Sequence, residues 1–385
     1  MFPIDKFSHL RTPFYFYDTK LLRTTLATAA AEAGKSQNFH IHYAIKANAN
    51  PELLRIISQA GYGADCVSGG EVERAAANGF PSAKIVFAGV GKSDAEIRTA
   101  LAYGISCFNV ESIPELEVIN QLAGETGTTA NVAFRINPNV DAHTHEKITT
   151  GLNENKFGIA MQDMVPAIRE AAAMEHVRYV GLHFHIGSQI SEMAPFVALC
   201  ERINELQDEL DKAGIHTESI NVGGGLGIDY DHPEAHPIPD FASYFQTFRD
   251  HLNLRPGQQL HFELGRSLVA QCGSLISRVL YMKQGTTKKF LIVDAGFTDL
   301  IRPAMYQAYH KVENISCPAT TPFSETYDVV GPICESSDVF VKDMPLPPSK
   351  RGDLMAFRSA GAYGEVMAST YNCRPLPAAY LDEQL

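Results

Sequence analysis

The sequence predicts an α/β fold, a (β/α)8 barrel followed by a mostly β domain, and three observations support this prediction. Between about residues 38 and 265, short β-type runs alternate with amphipathic helical segments, which is typical of βαβ units around a parallel sheet. Eight such runs occur, the number of strands in a (β/α)8 barrel. After Glu263 the pattern changes to β-branched runs and turns, which indicates a separate β domain of about 120 residues.

The eight β-type runs are separated, in most cases, by segments with apolar residues at helical spacing. Segments such as PELLRIISQAG and DAEIRTALAYG also end near a glycine, a common helix stop. Each helical segment can therefore cross over between two parallel strands. In chain order, the runs are HIHYAIKA, YGADCV, KIVFAG, SCFNV, NVAFRI, VGLHFHIG, SINVGGG and LHFELG.

The sequence pattern after Glu263 differs from that of the preceding region. It contains the β-type runs SLISRVLYMKQG, KKFLIVDAG and TYDVVGPIC, and a proline-rich patch at MPLPPSKRG. These runs predict strands joined by turns. One helical patch, DLIRPAMYQAYH, interrupts them, and we expect it to be an inserted element of a functional site.

Composition and charge exclude several classes of protein. Hydrophobic residues make up 45% and charged residues 20% of the 385 residues, so a disordered or collagen-like chain is excluded. The 44 acidic and 32 basic residues give a net charge of −12, a field that repels nucleic acid and anionic membranes. The start, MFPIDKFSHLRTPF, lacks a signal-peptide pattern, so we expect a cytoplasmic protein. Seven scattered cysteines, never in a CxxC pair, predict reduced thiols.

A glycine-rich loop and an arginine follow the seventh and eighth runs, where (β/α)8 barrels often bind phosphate. The loop contains Gly223, Gly224 and Gly225, and Arg266 comes just past the eighth run. Glycines let backbone N–H groups approach a phosphate, and a guanidinium group can bind it in a fork. A glycine-rich turn beside a surface arginine is the alternative. The position in the barrel favours a phosphorylated ligand.

Two charged residues end strands of the predicted barrel. Lys46 closes the run HYAIKANAN, so its amine points into the barrel mouth, where desolvation favours the neutral, nucleophilic form. A lysine that extends into solvent is the alternative. Glu263 ends the eighth run and could keep a ring nitrogen protonated, or it could be a structural carboxylate paired with Arg135.

His185 and Ser188 follow the sixth run in HFHIGSQ. The imidazole could stack on a flat ring and the hydroxyl could reach a phosphate, although a histidine satisfied within the barrel is the alternative. A lysine, a phosphate loop and a ring-nitrogen acid together predict a site for pyridoxal 5′-phosphate. His143 and His145 lack a third well-spaced ligand, so we predict no metal site.

Nine motifs occur in order along nearly the whole chain. They are YAIKANAN, GADCVSGGE, HTHEKITTGLNENKFGI, GLHFHIGSQI, NVGGGLGIDY, FELGRSLVA, VDAGFTDLIRPAMYQAYH, GPICESSDVF and SAGAYGEVMASTYNCRP. With these motifs the chain resembles the alanine-racemase-fold (fold type III) pyridoxal-phosphate decarboxylases. The resemblance implies a (β/α)8 barrel over residues 25–262, a C-terminal β domain of Greek-key type over 263–385, and an N-terminal segment, 1–24, that packs with the β domain.

The resemblance also implies roles for residues that match the family motifs. Lys46 is expected to bind the cofactor aldehyde covalently, and Cys334 and Glu335 to serve the active site of a neighbouring subunit, which implies a homodimer. The family's usual Glu-Pro-Gly-Arg is Glu-Leu-Gly-Arg here, so Leu264 replaces a proline while the acid and the arginine remain. The residues expected around the cofactor are Lys46, Asp65, Arg135, His185, Ser188, Gly223, Gly224, Gly225, Glu263, Leu264, Gly265, Arg266 and Tyr363.

The reaction expected from the resemblance is decarboxylation of meso-2,6-diaminopimelate to L-lysine and CO2, the last step of lysine biosynthesis, with Lys46 and Cys334 catalytic. The far end of this substrate carries both charges. Arg302 and Tyr306 are spaced i,i+4 and could share a helix face to bind the carboxylate. The residues expected to contact the substrate are Arg266, Arg302, Tyr306, Glu335 and Tyr363, with Glu335 taking the ammonium group.

Three alternatives remain open. A decarboxylase for ornithine, arginine or carboxynorspermidine would share the fold and cofactor, and Arg302 with Tyr306 and the THEKITTGLNENKFGI segment disfavour it. Taken alone, Arg302 could be a solvated helix charge. A racemase of this fold holds the ring nitrogen with an arginine, so Glu263 disfavours it. A non-catalytic relative would be expected to lack Lys46 or Cys334, and both are present.

Overall fold

The chain forms two compact units in a computed structural model that describes residues 2–140, 156–318 and 320–385. The barrel unit comprises Thr25–Gly227 and Asp240–Gly265, and the β unit comprises Met1–Thr24, Ile228–Pro239 and Arg266–Leu385. Two points differ from the predicted boundaries. Residues 228–239 group with the β unit, and the last crossing between units follows Gly265 rather than residue 262.

Strands occur in both units. In chain order they are β1 (Phe14–Tyr17), β2 (Phe39–Ala44), β3 (Gly63–Cys66), β4 (Ile85–Phe87), β5 (Cys107–Val110), β6 (Ala130–Asn137), β7 (Ile159–Ala160), β8 (Val177–His183), β9 (Ser219–Asn221), β10 (Gln259–Leu264), β11 (Gly273–Gln284), β12 (Lys289–Val293), β13 (Val312–Asn314), β14 (Glu325–Val330), β15 (Val339–Leu346), β16 (Leu354–Phe357) and β17 (Ala378–Leu381).

Most of the long helices lie between the barrel strands. The α-helices are α1 (Ile4–Phe7), α2 (Thr19–Ala33), α3 (Pro51–Gln59), α4 (Gly69–Ala77), α5 (Asp94–Tyr103), α6 (Ile113–Glu125), α7 (Met164–Ala173), α8 (Ala194–Lys212), α9 (Phe241–His251), α10 (Arg266–Val269) and α11 (Arg302–Tyr306). Single 3₁₀ turns occur at Ile45–Ala47, Ser82–Lys84, Met161–Asp163, Glu365–Met367, Tyr371–Cys373 and Asp382–Gln384.

The barrel unit is a closed parallel sheet. Its strands are hydrogen-bonded in the order β5-β4-β3-β2-β10-β9-β8-β6, and β6 pairs with β5 to close the ring, while the short β7 pairs with β6. Each of the eight predicted runs supplies one barrel strand, so the fold prediction is confirmed. The ring places the carboxyl ends of all eight strands at one mouth.

Local sequence signals account for the ends of the barrel helices. α5 begins in a capping box formed by Ser93 and Glu96, which satisfies backbone N–H groups that have no partner within the helix. It ends at Gly104, whose φ of 63° is left-handed and favours glycine. α3 begins at Asn50, whose side chain accepts a hydrogen bond from the Glu52 N–H. Such caps fix where each crossover turns back to the sheet.

The β unit contains a sheet in the order β13-β16-β11-β12-β14-β15, and β11 also pairs with β1. β1 runs antiparallel to β11 and parallel to β17, so the N-terminal strand lies between the first long strand of this unit and the last strand of the chain. Phe7, Phe14 and Phe16 pack with Ile276 and Leu354 in one apolar cluster. Burial of these rings anchors the N-terminal segment in the β unit. In the described parts of the chain, every helix is too short or too polar to cross a bilayer.

Candidate cofactor and substrate site

Lys46 lies two residues beyond the end of its strand. β2 ends at Ala44, and Lys46 occupies the single 3₁₀ turn Ile45–Ala47 that follows. Its Nζ is 3.6 Å from a carboxylate oxygen of Asp65 on β3. The Lys46 side chain is 37% exposed whereas that of Asp65 is fully buried, so the amine reaches open space above a buried acid.

Asp65 is an unusual buried carboxylate. Neither of its oxygens accepts a hydrogen bond from the residues that the structure describes. The carboxylate forms an ion pair with Lys46. Burial raises the pKa of Asp65 well above its ordinary value, Glu263 raises it further, and Lys46 opposes both. A buried carboxylate in this state is typical of a ligand site and uncommon in a structural core.

Glu263, near the carboxyl end of β10, accepts hydrogen bonds from three side chains that lie on other strands. Its Oε1 accepts hydrogen bonds from Asn221 Nδ2 at 2.7 Å and Asn109 Nδ2 at 3.2 Å. Its Oε2 accepts a hydrogen bond from His183 Nε2 at 3.0 Å. Burial opposes ionisation of Glu263, but His183 and the Lys46 cation outweigh it and lower the pKa of this carboxyl below its ordinary value. The group is therefore a fixed buried anion.

Arg135 does not pair with Glu263, which was the structural alternative considered for that acid. Its Nη1 donates to Glu111 Oε1 at 3.0 Å, and the guanidinium lies over the Phe157 ring at 4.5 Å. Glu111 Oε2 also accepts the Gly158 N–H at 2.8 Å. Glu111 thus fixes both Arg135 and the chain at Gly158.

His185 and the glycine loop are joined by a hydrogen bond. The Gly224 N–H donates to His185 Nδ1 at 3.3 Å, so the ring proton of a neutral His185 lies on Nε2. Partial burial lowers the pKa of His185 well below its ordinary value, and the Lys46 and Arg135 cations lower it further. Ser188 follows His185 in the bend after β8.

Two of the loop glycines cannot be replaced without moving backbone. A Cβ at Gly223, where φ is +68°, would lie 2.4 Å from the Phe184 carbonyl oxygen, and one at Gly224 would lie 2.1 Å from that of Glu263. Gly225 has a φ of +112°, also in the region that favours glycine. The loop therefore depends on glycine for its close approach to neighbouring strands.

The Glu-Leu-Gly segment is tightly packed. Leu264 is the last residue of β10, fully buried and opposite Tyr43 of β2. A Cβ at Gly265 would lie 3.1 Å from Ala47 Cβ, beside the turn that carries Lys46. Leu264, which stands where the family usually has a proline, is thus the last paired residue of β10.

Arg266 and Arg302 lie in one buried cluster of the β unit. Arg266 Nη1 donates to Tyr230 Oη at 2.7 Å, and its guanidinium lies 4.8 Å from the Tyr363 ring centre. The Arg302 guanidinium lies 4.9 Å from the Tyr230 ring centre, and its Nη1 is 2.8 Å from His310 Nε2. Both arginines are less than 8% exposed, so the solvated helix charge considered for Arg302 is wrong.

The predicted helix face is short. α11 begins at Arg302 and ends at Tyr306, and Tyr306 is close enough to Arg266 to raise the pKa of that guanidinium. The largest effect on the pKa of Arg302 itself is burial, which lowers it. The patch DLIRPAMYQAYH therefore holds a buried cation, Arg302, and an aromatic residue, Tyr306, which lies near a second cation, Arg266.

Cys334 and Glu335 lie in the exposed loop between β14 and β15. The Cys334 N–H donates to Asn372 Oδ1 at 3.4 Å, and Tyr371 Oη donates to Glu335 at 2.7 Å. Residues 371–373 thus support this loop. All seven cysteines are free thiols.

Several residues of these clusters escaped the sequence analysis: His183, Asn109 and Asn221 around Glu263, Glu111 beside Arg135, and Tyr230 and His310 beside the two arginines. His183 could have been found, because residues i and i+2 of a strand share a face and His183 precedes the singled-out His185 by two. His143 and His145 lie outside the described residues. Among the described residues, no group of three or more metal-ligating side chains is placed to hold a metal.

Comparisons with known proteins identify the family of the chain. Residues 22–270 match the family described as "Pyridoxal-dependent decarboxylase, pyridoxal binding domain". A curated diaminopimelate decarboxylase of Bacteroides thetaiotaomicron is 64% identical over 385 residues, covering 100% of this chain and 99% of that protein. The diaminopimelate decarboxylase of Zymomonas mobilis is 44% identical, covering 95% and 86%.

Solved structures give the same result. The structure of the Helicobacter pylori diaminopimelate decarboxylase complexed with L-lysine has a TM-score of 0.92 and 39% identity, covering 98% of this chain and 93% of that chain. A lysine/ornithine decarboxylase of Vibrio vulnificus, at 22% identity and a TM-score of 0.84, shares the fold. From the full-length similarity and the matching family model, the chain belongs to the diaminopimelate decarboxylases within the pyridoxal-dependent decarboxylase family.

Proposed function

We propose that this protein converts meso-2,6-diaminopimelate to L-lysine and CO2, the last step of lysine biosynthesis, with pyridoxal 5′-phosphate as cofactor. The observation that carries the proposal is the barrel mouth, where the Lys46 amine lies 3.6 Å from buried Asp65 and Glu263 is held as a buried anion. The curated relatives and the lysine-bound relatives in solved structures support the same substrate.

The residues of the barrel mouth fit the proposed cofactor. The two Asp65 oxygens have no hydrogen-bond donor among the described residues, and the Gly223–Gly225 loop has no room for side chains. Lys46 would hold the aldehyde, His185 would lie against the ring, and the glycine loop with Ser188 would bind the phosphate. When bound, the cofactor supplies a pyridinium ring that accepts the electron pair left by departing CO2.

Glu263 has the right capacity for a ring nitrogen. A carboxylate oxygen accepts about two hydrogen bonds. Asn221 and Asn109 fill Oε1, whereas among the described residues His183 alone donates to Oε2, which leaves a position for a ring N–H. Because its pKa is lowered, Glu263 stays ionised and would keep the proton on the nitrogen of a bound pyridine ring. The donors thus determine both the direction and the charge of this acid.

The remaining proposed cofactor and substrate residues need separate support. Asp65, Arg135, Leu264 and Gly265 complete the barrel set, and Arg266 and Tyr363 are the proposed cofactor residues of the β unit. We propose that Arg266, Arg302, Tyr306 and Tyr363 bind the carboxylate that the product retains, and that Glu335 binds the ammonium group beside it. Two buried guanidinium groups suit a substrate with a second carboxylate better than ornithine, which lacks one.

Cys334 is the proposed proton donor. After CO2 leaves, the carbon that carried it needs a proton, and a thiol can supply one. The loop of Cys334 and Glu335 is exposed, which suits a contribution to the active site of a second subunit in a homodimer. We place this homodimer in the cytoplasm.

The test is direct. Incubation of the purified protein with pyridoxal phosphate and meso-diaminopimelate should release CO2 and L-lysine in equal amounts. Parallel reactions with ornithine and arginine should proceed at least about a hundredfold more slowly, since neither offers a second carboxylate to the arginines. Faster release of CO2 from ornithine than from diaminopimelate would overturn the substrate assignment. Racemised diaminopimelate without CO2 would overturn the reaction.

A further inference from the structure

His310, four residues beyond the end of α11, contacts a proposed substrate residue from behind. Its Nε2 is 2.8 Å from Arg302 Nη1, and its Nδ1 is 2.9 Å from the Arg358 carbonyl oxygen. The residue is 2% exposed. Its ring and the Tyr230 ring form a T-shaped pair, with centroids 5.3 Å apart and planes at 80°.

The two contacts determine the protonation of the ring. A guanidinium group only donates, so Nε2 of His310 must accept from Arg302, and a carbonyl only accepts, so Nδ1 must carry the proton and donate to Arg358. His310 is therefore a neutral imidazole with one defined tautomer. Burial, helped by the Arg302 cation, lowers the pKa of His310 to about 3, which keeps it neutral at ordinary pH.

Arg302 needs such a neutral acceptor. Among the described residues Arg302 forms no ion pair with a carboxylate, and its polar contacts are with His310 and Tyr230. The Tyr230 ring covers one face of this guanidinium while the Tyr230 hydroxyl accepts from Arg266. Two like charges are thus held near the same tyrosine; burial lowers the pKa of Arg302 most, and repulsion from Arg266 lowers it further.

We propose that His310 is a positioning residue that fixes the Arg302 guanidinium to receive the carboxylate retained by the product. It binds one Nη1 hydrogen without adding a negative charge, so the positive charge of Arg302 stays available to an anionic ligand. An acid at position 310 would neutralise that charge instead. This inference rests on the proposed function for the identity of the ligand.

The experiment compares two ligands of the cofactor-loaded enzyme. L-lysine has the carboxylate, and cadaverine is the same diamine without it. Dissociation constants of both are measured by calorimetry for the wild type and for His310→Phe, which keeps the ring but removes the acceptor. The expected result is affinity for L-lysine weakened about tenfold or more, with cadaverine affinity unchanged within about twofold. The matched control is Tyr309→Phe, which alters the neighbouring, 37% exposed residue and should leave both constants unchanged.

A second pair of variants keeps the test decisive if His310→Phe does not fold. The amide of His310→Gln occupies roughly the place of Nε2 and can accept from Arg302, whereas the amide of His310→Asn occupies that of Nδ1 and cannot. Lysine affinity should be restored in His310→Gln and not in His310→Asn. Equal loss for lysine and cadaverine, equal behaviour of the Gln and Asn variants, or wild-type lysine affinity in His310→Phe would each overturn the proposal.

The ligand comparison also separates this inference from the proposed function. A wild type that binds lysine much more tightly than cadaverine but releases no CO2 from diaminopimelate contradicts the function and leaves the role of His310 testable by the same variants. A wild type that decarboxylates diaminopimelate but binds the two ligands equally contradicts the role of His310 alone.

Discussion

Glu263 in the barrel unit and Arg302 in the β unit are both buried charges, and the protein surrounds them differently. Glu263 receives three hydrogen bonds, one of them from His183, so much of its negative charge is compensated within the fold. Arg302 receives one neutral acceptor and an aromatic face, and no carboxylate among the described residues. The first arrangement stabilises a permanent charge, while the second leaves a charge for a ligand to compensate.

Among variants of the barrel unit, Lys46→Ala should have the largest effect on activity. Without the amine, the proposed covalent attachment of the cofactor is lost, so turnover should fall by roughly a thousandfold or more. The measurements are CO2 release and the visible absorption of the purified protein. Lys35→Ala, which alters an exposed lysine paired with Glu32, is the control. Borohydride trapping of the cofactor on another lysine would contradict the assignment.

In the β unit, Arg302→Ala should remove the proposed binding of the substrate carboxylate. Loss of a buried, hydrogen-bonded cation opposite a carboxylate costs about 2–5 kcal/mol, so kcat/KM for diaminopimelate should fall by roughly a hundredfold or more. Cofactor absorption should persist, since the barrel mouth is untouched. The control is Arg351→Ala, an exposed arginine that lies over Tyr281. Unchanged kinetics on diaminopimelate would exclude Arg302 from substrate binding.

Glu263→Gln removes the negative charge of the buried acid while keeping the shape of the side chain. His183 can switch tautomer to accept from the new amide, because its Nδ1 has no partner among the described residues, so the fold should survive. The amide cannot keep a ring nitrogen protonated, and kcat should fall roughly tenfold to a hundredfold. The matched control is Glu218→Gln, an exposed acid paired with Arg178. Equal kcat in wild type and Glu263→Gln would remove the acid from the scheme.

The smallest expected effect is on the pH dependence of stability. The folded pKa of His310, about 3, lies below the ordinary value of 6.5, so its stabilising contribution is complete above about pH 6.5 and is lost as the pH falls towards 3. Between pH 6.5 and 5, wild type should lose about 2 kcal/mol more than His310→Gln. Urea unfolding at the two pH values measures this difference. Parallel pH profiles would show that His310 titrates normally in the folded protein.

The fold was predictable from the sequence because each barrel strand is a compact β-type run beside a helix with clear periodicity. Segments such as DAEIRTALAYG carry their own start and stop signals, and they form helices at those positions. Lys46 was placed in its strand run, whereas the strand ends two residues earlier, since a single 3₁₀ turn has no distinct sequence pattern.

The supporting residues were harder to predict because their partners are distant in sequence. Glu111, just past β5, meets Arg135 on the neighbouring β6, and Tyr230 meets Arg266 only because residues 228–239 join the β unit. A lone tyrosine or histidine in sequence carries no signal of such a contact. The motifs thus marked the charged residues, and the structure was needed to find what orients them.

The pairing of β1 with β17 has a consequence for synthesis of the chain on the ribosome. The barrel unit is complete once residue 265 has been made, so it can fold while translation continues. Residues 14–17 are made before the barrel unit and must wait for residues 378–381, which are made after it, before one of their edges is hydrogen-bonded. Until then Tyr380 is absent from the apolar cluster around Phe14, and the unpaired edge of this strand is exposed to association with other chains.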